Sequence, residues 1–165
     1  MIEVVCFDLG DTLIAEETVV QDSSGQAITA DVIEDAFEVL KDIRKNGCQV
    51  AMIANAYSTD ARNIIKATSL QDYFDAIIIS EEVGMEKPCR RIFEVALVEL
   101  GIKAENAVMV GNRIDTDIVG ANRFGMKSVW FRWNDRYSGT MYSGEEKPDF
   151  IINSLSELPG LLALM

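Results

Sequence analysis

No histidine occurs among the 165 residues. Its absence removes Ser-His-Asp and Cys-His catalytic pairs, zinc sites built on imidazole, and imidazole acid–base chemistry. Any catalysis must fall to carboxylates, lysine, hydroxyls, backbone groups or a hard metal ion. Basic residues are scarce: 15 Lys and Arg against 27 Asp and Glu give a formal net charge of -12. That field repels a nucleic-acid backbone and attracts divalent cations, so no nucleic-acid partner is expected. The three cysteines, Cys6, Cys48 and Cys89, are odd in number and lack CxxC spacing. They read as reduced thiols, not as a disulfide framework. No apolar run approaches the roughly 20 residues of a membrane span. The stretch before Asp8 lacks the basic start of a signal peptide, and a cytoplasmic, membrane-free protein is expected.

What is present is an alternation of short β-rich runs with helical periodicity. Apolar runs lie at Ile2–Asp8, Gln49–Ala54, Ala76–Ile79, Ala107–Val110, Ser128–Phe131 and Phe150–Ile152. Between them, Ala30–Asn46, Ser58–Thr68, the segment after Pro88 and Ile114–Phe124 carry helical spacing, with Ser58 as an expected N-cap. A last helix follows, opened or broken by Pro159. The length suits one domain, and this order predicts a doubly wound, Rossmann-like parallel α/β sheet with helices on both faces. Residues 14–29 are expected to form a short hairpin flap around Asp22-Ser23-Ser24-Gly25, and residues 132–149 a surface loop.

Ligands in such folds sit beyond the carboxyl ends of the strands. The first strand ends in Asp8-Leu9-Gly10-Asp11-Thr12-Leu13. A carboxylate there can attack a phosphoryl group or ligate Mg²⁺, and an ordinary turn with two solvated acids has the same spelling. Lys87-Pro88 stands at a strand-to-helix junction on the same sheet edge, where its charge would neutralise a carboxylate and a phosphate. Gly111-Asn112-Arg113-Ile114-Asp115-Thr116-Asp117 joins a strand to a helix, so its acids also suit plain capping.

Together these segments resemble the haloacid dehalogenase superfamily of aspartyl-nucleophile phosphatases, with four signature regions in order. Phe7–Leu13 is similar to the nucleophile motif, Ile53-Ala54-Asn55 to the second, Gly84–Pro88 to the lysine motif and Val110–Ala121 to the acidic metal motif. The resemblance implies a Mg²⁺-dependent phosphatase in which Asp8 attacks phosphorus and binds the metal. It further implies Gly10 (through its carbonyl), Asn112 and Asp117 as metal ligands, and Thr12, Asn55 and Lys87 around the phosphate.

Three positions depart from the pattern. Gly10 stands where such phosphatases usually carry the Asp that serves as general acid and base, which predicts better turnover of aryl or acyl phosphates than of alkyl phosphates. Asp11, one residue on, is the candidate substitute, with loop bonding as its other role. Ala54 replaces a Ser or Thr, for which Ser58 or Thr59 would have to compensate, and Asn112 replaces an Asp. With about forty residues between Asp8 and the second strand there is room for a flap but no cap domain. An open site of this kind suits an exposed phosphoryl group on a larger molecule, or a phosphorylated small molecule enclosed by a second copy in a homo-oligomer. Arg113 and Arg132-Trp133-Asn134-Asp135-Arg136-Tyr137 are rim candidates, with simple surface packing favoured for the second. The alternatives are a catalytically weakened binding or regulatory protein, motivated by Gly10, Ala54 and Asn112, and a dehalogenase, which the missing cap disfavours.

Overall fold

A computed structural model describes residues 1–136 and 143–165. In chain order the elements are β1 (Val4–Phe7), β2 (Val20–Gln21), β3 (Ala27–Thr29), α1 (Ala36–Lys45), β4 (Gln49–Ala54), α2 (Ser58–Ala67) and β5 (Ala76–Ile79). They continue with α3 (Ser80–Val83), α4 (Arg90–Leu100), β6 (Ala107–Gly111), α5 (Val119–Phe124), β7 (Lys127–Phe131), β8 (Phe150–Ile152) and α6 (Leu158–Leu162). Six strands form one sheet in the order β5-β4-β1-β6-β7-β8, and every pairing is parallel.

The period-2 alternation of a strand decides which side chains meet which helix layer. Val5 and Phe7 of β1 point into a core shared with α1, α2 and α6, where Leu40, Ile43, Ile65 and Leu158 are buried. Val4 and Cys6 point the other way, against Ile92, Phe93 and Ala96 of α4 and Ala121 of α5. Burial on both faces explains why the strands read as near-continuous apolar runs. The chain runs outward from β1 through β4 to β5, then returns to the other side of β1 through β6, β7 and β8. The winding therefore reverses between β1 and β6, and the crevice at their carboxyl ends is flanked by Asp8 and Asn112.

Local structure differs from the sequence expectation at three places. The first crossover helix begins at Ala36, not Ala30, because Val32 pairs with Ile14 and the Ile33 amide donates to the Leu13 carbonyl. Those contacts claim residues 30–35 for the loop beneath β1, and tertiary pairing overrides helical spacing. Ser58 is the first residue of α2, with Tyr57 as N-cap, and its amide donates to Glu81 at 2.7 Å. Ile114–Ile118 forms a π turn ahead of α5, in which the amides of Asp117 and Ile118 both donate to the Arg113 carbonyl.

The hairpin β2–β3 is antiparallel, and its turn is pinned by Asp22, whose Oδ1 accepts from the amides of Ser24 and Gln26. It is tied to α2: Ala27 N donates to Asp60 Oδ1 at 3.0 Å, and Asn63 Nδ2 donates to Ala27 O at 2.9 Å. Two short strands would be marginal alone, so this docking holds them in place. Among the described residues no helix is long and apolar enough to cross a membrane.

Candidate active site

Asp8 follows β1 directly, and its amide still donates to Val110 O of the neighbouring strand. Its carboxylate therefore leaves the sheet at the reversal point. Lys87 Nζ, only 3% exposed, lies 2.7 Å from Asp8 Oδ1, 2.8 Å from Asp117 Oδ1 and 2.6 Å from the Ile53 carbonyl. Burial works against the Lys87 charge, but Asp117 and Asp8 outweigh it, and the ammonium's pKa moves above its ordinary value. Burial also raises the fully enclosed Asp117, partly opposed by Lys87 and assisted by Asp8, to about 6. The result is a buried triad of one ammonium and two carboxylates, carrying one more negative charge than positive when both acids are ionised.

Asp117 reaches this position through its turn and a glycine. Its Oδ2 accepts from Arg113 N at 3.0 Å, and a Cβ on Gly111 would overlap Oδ2 and lie 2.6 Å from Asp117 Cβ. Gly111→Ala is therefore expected to displace Asp117 and cost about 1–3 kcal/mol by overpacking. Thermal unfolding of the variant would show a lowered midpoint.

The donor set fits a hard divalent cation, which takes one or two carboxylates and completes its shell with other oxygens. Asp8 and Asp117 supply carboxylates. Asn112, 5% exposed, has a carboxamide oxygen with no hydrogen-bond partner, which a cation would satisfy; its Nδ2, also without a partner, is a donor and would need an acceptor instead. No group of three or more acidic or thiol side chains placed to hold a metal ion occurs among the described residues.

The structure places three of the other expected residues in structural contacts around the site. Asn55 does not present its amide to a phosphate: Oδ1 accepts from Lys87 N at 2.8 Å and Nδ2 donates to Lys87 O at 3.0 Å. The loops after β4 and β5 are neighbours on the sheet edge, and Asn55 clamps one to the other, positioning Lys87. Thr12 is fully buried, its hydroxyl lacks a hydrogen-bond partner, and it lies outside the cavity wall, because the loop closes on the Leu9 carbonyl, which accepts from Thr12, Leu13 and Ile14. Asp11 is fully buried, in a left-handed backbone conformation at φ 49°, and does not line the cavity over Asp8. Its Oδ1 accepts from Glu16 N at 3.0 Å, Oδ2 lies 2.7 Å from Arg136 Nη1 as an ion pair, and its carbonyl accepts from Trp133 Nε1 at 2.7 Å.

Ser58 does not compensate for Ala54, since its hydroxyl donates to Glu82. Asp115 pairs with Arg113, 2.7 Å from Nη2 and 3.1 Å from Nε, and this bonding holds its carboxyl below the usual range. At the rim, Trp133 stacks on Phe131 and Arg132 lies over Trp130, whereas Arg136 of the same segment reaches the carboxylates of Asp11 and Glu16. Tyr137 lies outside the described residues.

A cavity of about 230 Å³ opens over Asp8 and Lys87. Its walls come from the hairpin (Val19, Gln21), α2 (Asp60, Ile64) and the turn after β6 (Arg113, Thr116). One further carboxylate faces it, that of Glu16, which no motif indicated. A Cβ on Gly10 would overlap Glu16 Oε1 and lie 2.9 Å from Cδ, so Glu16 occupies the space a residue-10 side chain would take. Burial and the Asp11 carboxylate raise the Glu16 pKa, against the pull of Arg136. The only sequence signal for it was indirect: a glycine where a side chain was expected.

With the sheet order, the strand-end acids and the buried lysine established, the chain belongs to the haloacid dehalogenase-like hydrolase family, whose model matches residues 17–131. It is 32% identical over 136 residues to a ribulose-1,5-bisphosphate 5-phosphatase of Halopiger xanaduensis, covering 80% of this chain and 57% of the relative. It is 33% identical over 133 residues to a glyceraldehyde 3-phosphate phosphatase of Pyrococcus furiosus, covering 81% and 54%. The chain thus spans about half the length of the curated relatives it matches. Among solved structures, an HAD phosphatase from Thermococcus onnurineus superposes with TM-score 0.83 at 22% identity, over 98% of both chains. An L-2-haloacid dehalogenase from Xanthobacter autotrophicus superposes with TM-score 0.84 at 16% identity, over 100% of both. One fold thus serves both chemistries in these neighbours, and the site must decide between them.

Proposed function

We propose that this chain is a Mg²⁺-dependent phosphomonoester hydrolase that works through a covalent phosphoryl group on Asp8. The observation that carries the reading is Lys87 Nζ, buried between Asp8 Oδ1 at 2.7 Å and Asp117 Oδ1 at 2.8 Å beside a cavity open to a ligand. Phosphoryl transfer needs positioning and charge neutralisation more than covalent assistance. Asp8 is aimed by β1, and Lys87 pairs with it and would offset the charge of an arriving phosphate. Asp8, the Gly10 carbonyl, Asn112 and Asp117 would hold Mg²⁺, which when bound supplies further neutralisation of the phosphate oxygens. After Asp8 displaces the alcohol, water attacks the aspartyl-phosphate and frees inorganic phosphate.

The relatives' printed names support a small phosphorylated substrate, and the net charge of -12 argues against a nucleic-acid one. We further propose that the 165 residues act as one capless domain, with the β2–β3 hairpin as the flap over the cavity. A pure binding module is the weaker reading, because an ammonium buried with two acids is costly to keep without a use. The test is p-nitrophenyl phosphate hydrolysis by metal-depleted protein. Turnover is expected to appear on adding Mg²⁺ and to vanish with a chelator. Equal hydrolysis with and without the metal, or halide release from 2-haloacids, would contradict the reading.

A further inference from the structure

We infer that Glu16 is the proton donor and acceptor of this site, a catalytic carboxylate brought from beyond the nucleophile loop into the space left by Gly10. The inference rests on the phosphomonoesterase reading above and adds the residue that reading lacks. When the Asp8 oxygen–phosphorus bond forms and the phosphorus–oxygen bond to the alcohol breaks, an alkoxide would leave unless a proton meets it. Hydrolysis of the aspartyl-phosphate then requires a proton to be taken from the attacking water. One carboxyl can serve both steps: it gives its proton to the alcohol, then takes one from water as phosphate departs, and both Asp8 and the carboxyl are restored.

The cavity offers few groups for this. Lys87 is committed to Asp8, Asp117 and the Ile53 carbonyl, and Asp60 accepts from Ala27 N on the far wall. Asp11 does not line the cavity. Glu16 remains, lining the cavity beside Gly10 with Oε1 in the space of the absent side chain. Its placement is built: Asp11 Oδ1 accepts from its amide at 3.0 Å, and Arg136 Nη1 bridges Glu16 Oε2 at 3.1 Å and Asp11 Oδ2 at 2.7 Å. Asp11 is thereby a positioning residue. With Oε2 held by Arg136, Oε1 lies against Gly10, and both residues line the cavity. The geometry also fits Gly10, since a side chain there would displace the Glu16 carboxylate from this place.

The test compares kcat/KM of the full chain and its Glu16→Gln variant, with Mg²⁺, on p-nitrophenyl phosphate and β-glycerophosphate. The first releases an acidic phenol that needs no proton, the second a basic alkoxide that does. Glu16→Gln is expected to lower kcat/KM on β-glycerophosphate by about 10²–10⁴-fold and on p-nitrophenyl phosphate by less than about tenfold. Equal loss on both substrates, or no loss on either, would overturn the assignment. A second pair guards against a folding defect: Gly10→Asp with Glu16→Ala is expected to regain β-glycerophosphate turnover at least about tenfold over Glu16→Ala alone, and no gain would also overturn it. If the parent protein turns over neither substrate, the phosphatase reading itself fails, which is a distinct result.

Discussion

Asp8→Asn is expected to reduce phosphatase turnover by about 10⁵–10⁶-fold, the scale on which removal of a covalent nucleophile is felt. The amide keeps the volume and hydrogen-bonding reach of the carboxylate, so the loss would report chemistry and not packing. The fold should survive, because Lys87 retains Asp117 at 2.8 Å and the Ile53 carbonyl at 2.6 Å. One like-charge repulsion disappears at the same time, since Asp8 is among the groups that raise Asp117 to about 6. The check is p-nitrophenyl phosphate turnover beside thermal unfolding. A variant that loses turnover at an undiminished midpoint fits the account. One that keeps a tenth of the parent rate does not.

Lys87→Met is expected to be the most destabilising single change at the site. Methionine fills the channel but leaves Asp8 and Asp117 facing each other without a counter-charge. Removing one partner from a buried ionic cluster typically costs about 3–5 kcal/mol. The sign of its pH dependence follows from linkage. Burial raises Asp117 above its ordinary value of 3.8 to about 6 even with Lys87 opposing it, and without Lys87 it must rise further. A carboxyl whose folded pKa exceeds its unfolded one binds its proton preferentially in the folded state, so stability falls as pH rises through that range. The deficit of the metal-free variant should therefore be largest near neutral pH and shrink on acidification towards pH 4. Mg²⁺ should recover part of it at neutral pH by replacing the lost positive charge. Urea unfolding of parent and variant across that range would check this. A deficit that grows on acidification would show that Lys87 is not held by these carboxylates.

The parts of this site that were legible in the sequence are those that depend on strand ends. Asp8 stands directly after a short apolar run, and Lys87 and Asp117 in the loops that follow two others; parallel strands deliver such segments to one edge whatever the details of packing. The parts that were not legible depend on contacts distant in sequence. Asn55 looked like a phosphate ligand, yet its amide is used by the Lys87 main chain, 32 residues away. Asp11 looked like a substitute acid because it follows Gly10 by one position, but it is fully buried and its carboxylate is held by Glu16 N and by Arg136, distant in sequence. The early start expected for α1 failed for a related reason, since the bridge between Ile14 and Val32 claims residues that carry helical spacing. Glu16 had no motif to mark it. Its place over Gly10 is set by Asp11 and by Arg136, 120 residues further along the chain.

The central claim is that phosphate passes through a covalent bond to Asp8. Its most direct test is an acid quench of the Mg²⁺-supported reaction with p-nitrophenyl phosphate, followed by peptide mapping by mass spectrometry. The account predicts a hydroxylamine-sensitive phosphoryl group on the peptide that contains Asp8, absent from Asp8→Asn. Steady turnover by the parent protein with the phosphoryl group on another residue, or with none trapped on Asp8 under conditions that preserve acyl phosphates, would contradict it.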